Sequence, residues 1–197
     1  ARLGLRQQLG ISADAPLIAC VAELVSVKGH PTLLQALAEV PGAHLLLAGR
    51  PMDQAYVAGL EAQVATLGIK ARTHFLGGVA DIPALLAESD VFVLPTIGRG
   101  EGCPVALMEA MACGKACLAT DIPGSHFLIK QQENGLLVPT EDPAAMAGSL
   151  RTMLADPDLR RKLGQAARQS IEAYFNVERE TAEYTQLYQE ILGAAGA

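Results

Sequence analysis

Apolar residues in this chain come in short unbroken runs, and between most of them lies a stretch whose apolar positions recur every three or four residues. The runs are "PLIACVAEL" (16–24), "HLLLAG" (44–49), "THFLG" (73–77), "DVFVLP" (90–95), "ACLAT" (116–120) and "GLLVP" (135–139). Runs this short, with no polar alternation, predict strands buried on both faces. "PTLLQALAEV" (31–40), the segment over 53–67, "DIPALLAES" (81–89) and the segment over 104–113 read as helices. Asp81 is a predicted N-cap, because a carboxylate there accepts from amides that the first turn leaves unbonded. Pro104 is expected as the first residue of its helix, where a fixed φ and a missing N–H do no harm.

Strands buried on both faces and separated by helices require parallel pairing through right-handed crossovers. The expected fold is α/β, a Rossmann-like doubly wound parallel sheet. Ligands of such sheets bind beyond the C-terminal ends of the strands. The turns to inspect are therefore 25–30, 49–52, 77–81, 95–104 and 120–126. After Pro139 the pattern changes to three amphipathic helices over about 142–195, the last with Asn176 as its N-cap. They are expected to pack against the sheet edge, so that residues 1–197 form one domain. The chain carries no repeat and no low-complexity linker.

Composition narrows the partners. A chain of 197 residues can bury one sizeable core, and half of it is hydrophobic, with 19 Gly and 11 Pro for tight strand-to-helix turns. The net charge of −6 argues against nucleic acid as a partner. An anionic ligand would need helix N-termini and a few placed cations. Cys20, Cys103, Cys113 and Cys117 form no paired motif, and His30, His44, His74 and His126 are scattered, so no metal site is expected. Such cysteines fit a reducing, cytoplasmic setting. No signal peptide and no run long enough to span a bilayer is seen. The chain begins without Met and is read as a fragment of something longer.

The stretch "RGEGCPVALMEAMACG" (99–114) holds the most chemistry. Glu101 falls in a Gly-rich turn after a strand, where backbone amides point outward. Glu109 falls in an otherwise apolar helix, beside Val105, Ala106, Ala112 and Cys113. It is expected to be buried, a position that is costly without a hydrogen-bonding partner. Two carboxylates beside a turn rich in donors suit the hydroxyls of a sugar. Taken singly, Glu109 is a core-edge helix acid, Lys28 a surface lysine and Glu101 a loop acid. His126 in "PGSHF" reads as structural, and Arg160, Arg161 and Lys162 as a solvated helix face.

"EGCPVALMEAMACGKACLATD" resembles the E-x7-E signature of the large retaining glycosyltransferase family 4, or group 1. "VAELVSVKGH", "LLLAGRP", "FLGGV", "SDVFVLPT", "ENGLLVP" and "EDPAAMA" match further family segments in order and spacing, so the likeness covers about residues 16–192. It implies the C-terminal, donor-binding half of a two-domain GT-B enzyme, with the N-terminal acceptor domain absent from this chain. By the same resemblance, Lys28 binds the diphosphate of the donor and Glu101 its sugar, helped by the backbone of Gly102, Cys103 and Val105. Glu109 binds the ribose, and the backbone from Gly77 to Val79 meets the base. Two departures stand out. Glu23 occupies a place where the family usually has Arg, with Arg50 and Arg99 as candidate replacements. Gly-Cys-Pro also follows Glu101 where Gly-Phe-Gly is common, although an E-G-x-P form is familiar among polysaccharide-building members.

The implied activity is retaining transfer from a UDP- or GDP-sugar to a glycan or lipid-linked acceptor in bacterial polysaccharide or lipopolysaccharide synthesis. The implied enzyme is a hexosyltransferase that needs no metal or cofactor and is inactive without its N-terminal domain. Contact with the inner membrane surface is left open. Two alternatives accompany this reading: a degenerate nucleotide-sugar-binding or scaffolding module disabled by Glu23, and a sugar-nucleotide epimerase of the same architecture. A dinucleotide dehydrogenase is disfavoured, because no G-x-G-x-x-G follows the first strand.

Overall fold

The computed structural model describes residues 4–98 and 101–195. Six strands build one parallel sheet: β1 (Leu17–Val21), β2 (His44–Ala48), β3 (Thr73–Gly77), β4 (Val91–Leu94), β5 (Ala116–Thr120) and β6 (Leu136–Val138). They lie side by side in the order β3-β2-β1-β4-β5-β6. Each apolar run of the sequence supplies one strand, trimmed by up to four residues at its ends.

Burial explains why these runs are unbroken. Along β1, Ile18 and Cys20 face one core, while Leu17 and Ala19 face the other. The same alternation holds on β4, where Val91 and Val93 point one way and Phe92 and Leu94 the other. Both faces are therefore dry. Removing Phe92 alone from water contributes on the order of 2–3 kcal/mol.

The helices are α1 (Leu5–Gln8), α2 (His30–Ala38), α3 (Gln54–Thr66), α4 (Ile82–Glu88), α5 (Val105–Ala112), α6 (Pro123–Leu128), α7 (Pro143–Ala155), α8 (Pro157–Tyr174) and α9 (Val177–Ala195). The predicted caps form as expected. Asp81 accepts from the Ala84 amide at 2.9 Å, and Asn176 accepts from the Arg179 amide at 2.8 Å. Pro104 differs: with ψ at 91° it is extended and stands at the N-cap, and α5 begins at Val105. The expectation that the C-terminal helices only flank the sheet edge needs correction too. Met146, Leu150 and Met153 of α7 join the core that holds α2. Leu163 of α8 enters the same core, while its Ala167 and Ile171 enter the opposite one, so α8 bridges the two faces.

The order reverses between β1 and β4. Connections from these neighbours leave in opposite directions, and a crevice opens where they part, at the strands' C-terminal ends.

Candidate functional site

The loop after β1 is held in place by backbone. Ser26–Lys28 forms a single 3₁₀ turn that ends at Gly29, whose φ is +66°. A Cβ on Gly29 would sit 2.0 Å from the carbonyl oxygen of Pro95, so only glycine fits. The Ile97 amide also donates to the Val27 carbonyl at 2.9 Å. The loops after β1 and β4 are thus clamped together at the switch point. On the far side, α6 presses on the same turn, because a Cβ on Gly124 would meet the Glu101 carbonyl oxygen at 2.3 Å.

This clamp brings Lys28 and Glu101 together across 73 residues of sequence. Lys28 Nζ donates to Glu101 Oε1 at 2.5 Å, and both side chains are largely buried. The other oxygen, Glu101 Oε2, is buried and has no hydrogen-bond partner among the described residues. A buried carboxylate oxygen without a donor is costly, on the order of 1–3 kcal/mol, and a ligand hydroxyl would remove that cost.

Lys28 and Glu101 line a cleft of about 650 Å³ with the ends of β1, β2 and β4 and the starts of α4 and α5. Of the residues singled out in the sequence, Glu23, Lys28, Arg50, Val79, Glu101, Cys103 and Val105 line it. Gly77 and Gly102 do not line it, though each adjoins a residue that does. Arg99 lies outside the described residues. Arg50 donates to Glu23 at 2.5 Å at the cleft mouth.

Glu109 departs from expectation: it is exposed and is absent from the cleft wall. Only one side of α5 is covered, by way of Leu107, Ala110 and Met111. Val105, one turn before Glu109 on the same ridge, is 63% exposed and forms part of the rim. Glu109 therefore continues the rim outward, hydrated rather than stranded. Gly78 and Ala106, both named from the sequence, line the cleft too, and Ile82 joins them. Gly78 lies in the turn 77–81 already marked for inspection, whereas Ala106 and Ile82 carry no chemical signal.

Behind the lysine loop, His30 is fully buried and shares a 3.1 Å hydrogen bond between its Nδ1 and the Tyr56 hydroxyl. Burial pushes its imidazole down to about 4, with the nearby Lys28 charge adding to the effect. Cys20 on β1 is pushed up to about 12 by burial, so its thiol is inert. Among the described residues no group of three His, Cys, Asp or Glu could hold a metal ion. A larger hollow of about 970 Å³ lies beside α9 and shares Cys103 with the cleft; Phe127, Tyr174 and Tyr184 line it.

Comparison with known proteins decides the family. The family model for glycosyl transferases group 1 matches residues 2–170. The chain belongs to this family. Among relatives of the group 1 glycosyltransferase domain is the lipopolysaccharide core biosynthesis glycosyltransferase LpsE of Rhizobium meliloti. It is 31% identical over 92% of this chain and 52% of its own length. Anabaena Alr3699/HepE, solved in complex with UDP-glucose, superposes with a TM-score of 0.88 at 28% identity, covering 94% of this chain and 51% of that one. The C-terminal domain of a group 1 family protein (LpcC) from Francisella tularensis gives 0.73 at 26% identity, over 87% of this chain and 93% of that one. The fold is thus that of GT-B glycosyltransferases. The chain spans about half the length of the curated relatives it matches. No helix among the described residues is long and apolar enough to cross a membrane.

Proposed function

We propose that this chain is the donor-binding half of a retaining glycosyltransferase, which holds a UDP- or GDP-sugar for transfer to a glycan or lipid-linked acceptor. The acceptor site belongs to an N-terminal domain outside this chain, so the chain alone binds donor and does not turn it over. The observation that carries this reading is Glu101 Oε2, buried without a partner beside Lys28 at the switch point. A sugar hydroxyl donating to Oε2 satisfies it, and Lys28 faces the diphosphate. As the glycosidic bond lengthens, negative charge builds on the departing nucleotide, and a cation fixed there lowers the barrier. Glu109 takes the ribose at the rim, where it can accept from two adjacent hydroxyls. The backbone at Gly78 and Val79 meets the base. The UDP-glucose complex of the Anabaena relative supports a nucleotide sugar in this cleft, and the R. meliloti relative supports a polysaccharide or lipopolysaccharide setting.

Calorimetry of the chain with UDP-, GDP- and ADP-sugars, each beside its plain nucleoside diphosphate, tests the assignment. One sugar should bind more tightly than its diphosphate, and Glu101→Ala should erase that increment. If no nucleotide sugar binds, or if the increment survives Glu101→Ala, the reading fails.

A further inference from the structure

The cleft's charges raise a problem for any diphosphate. Among the described residues lining it there are two cations, Lys28 and Arg50, and two carboxylates, Glu101 and Glu23. Each cation is bonded to one carboxylate. The described part of the wall is therefore neutral in side-chain charge, while a nucleoside diphosphate brings at least two negative charges, and Lys28 is already committed to Glu101.

Arg50 differs from Lys28 in how much it has left to give. A guanidinium presents five N–H donors in a planar fork, and Glu23 engages it through Nη2 at 2.5 Å. That is its one side-chain hydrogen bond among the described residues. Its remaining edge can donate to phosphate oxygens while the carboxylate keeps its grip. The backbone beneath both residues is fixed. The Leu24 amide donates to the Arg50 carbonyl at 2.9 Å, and the Gly49 amide donates to the Gly77 carbonyl at 2.8 Å. A Cβ on Gly49 would meet the Ala22 carbonyl oxygen at 1.7 Å, so the strand ends that carry Glu23 and Arg50 are in direct backbone contact. The Arg50 stem runs over Gly78, where a Cβ would lie 3.5 Å from its Cγ. Arg50 thus has Gly78 beside its stem and Glu23 at its head, with the rest of the side chain open to a ligand. An exposed pair of this kind contributes little to folding.

We infer that Arg50 is the second diphosphate-binding cation of the cleft and that Glu23 is the residue that positions it. The inference rests on the donor-binding reading above. Glu23 contributes through Arg50 and makes no contact with ligand, so its effect vanishes when Arg50 is removed.

The test is calorimetry of the 197-residue chain with uridine, UMP and UDP, and with the guanosine series. Arg50→Ala should lower the affinity for the diphosphate that binds by roughly tenfold or more, shrink the step from mono- to diphosphate, and leave nucleoside affinity and thermal unfolding unchanged. Glu23→Ala should weaken the diphosphate about threefold, and Glu23→Gln, which keeps an acceptor for the guanidinium, should restore most of that loss. In the Arg50→Ala background, Glu23→Ala should cost nothing further. The inference is overturned if Arg50→Ala leaves the mono-to-diphosphate step intact. It is overturned equally if Glu23→Ala tightens binding, which would mark Glu23 as a repelling charge. Loss of that step in Lys28→Ala alone would leave the donor reading standing without Arg50. If no nucleotide binds the unmodified chain, both readings fall together.

Discussion

Lowering the pH should destabilise this fold through one buried imidazole. His30 is fully buried at the start of α2 and titrates at about 4 in the folded chain, against about 6.5 when unfolded. Between those values the unfolded chain holds a proton on His30 that the folded chain does not. Unfolding therefore takes up protons, and stability falls as pH falls. At about 1.4 kcal/mol per pH unit, the loss is roughly 0.8 kcal/mol at pH 6, 2 kcal/mol at pH 5, and 3 kcal/mol once pH passes below the folded value. Burial likewise lowers His44 and His74, so they add with the same sign. Urea unfolding followed by circular dichroism at pH 7, 6 and 5, on the native chain and on His30→Gln, isolates the contribution. Glutamine cannot take up the proton, so the native chain should begin more stable, with the gap closing by nearly 2 kcal/mol between pH 7 and 5. A gap that stays constant would show that His30 is not held neutral by the fold.

Gly29→Ala combines a left-handed φ with a Cβ placed 2.0 Å from the Pro95 carbonyl oxygen, and should cost more than about 2 kcal/mol in urea unfolding together with nucleotide affinity. Gly10→Ala, at the same φ with open space around it, should cost only about 1 kcal/mol and leave affinity unchanged. Glu109→Ala should leave stability within about 0.5 kcal/mol, since the side chain is exposed, while weakening uridine or guanosine as much as their diphosphates. Unchanged nucleoside binding in calorimetry would remove Glu109 from the ribose.

The inner strands are legible in the sequence because burial on both faces leaves them with nothing polar to interrupt them, as in "LIACV" and "VFVL", whereas the part-exposed edge strand "THFLG" carries Thr73 and His74. Helices with an open face and a capping residue, such as α4 after Asp81, are legible for a related reason. The capping carboxylate and the apolar spacing mark the same boundary. Two short helices, α1 and α6, escape that logic. "PGSHFL" opens with Pro, Gly and Ser, the residues of turns, and its six positions hold too few apolar residues for a period to show. It packs against the Glu101 turn, where a Cβ on Gly124 would meet the Glu101 carbonyl oxygen at 2.3 Å, and no local signal carries that contact.

The site divides along the same line. That Lys28 and Glu101 lie in turns at strand C-termini follows from the alternation of strands and helices. That they touch follows only from β1 and β4 being neighbours, a fact of sheet order rather than of either segment. Glu109 shows the converse failure. An apolar helix reads as an enclosed one, but α5 has a ridge, through Val105, that no other element covers among the described residues. Hydrophobicity on that ridge is what a cleft rim needs to receive a ligand's flat surface, and it looks identical in sequence to hydrophobicity that fills a core. Glu23 and Arg50 make the point in charges. Read along the chain, Glu23 is a like charge beside a place for phosphate. Folded, it is half of a pair whose other half arrives from the next strand, and the sign that the cleft presents is decided by geometry between them.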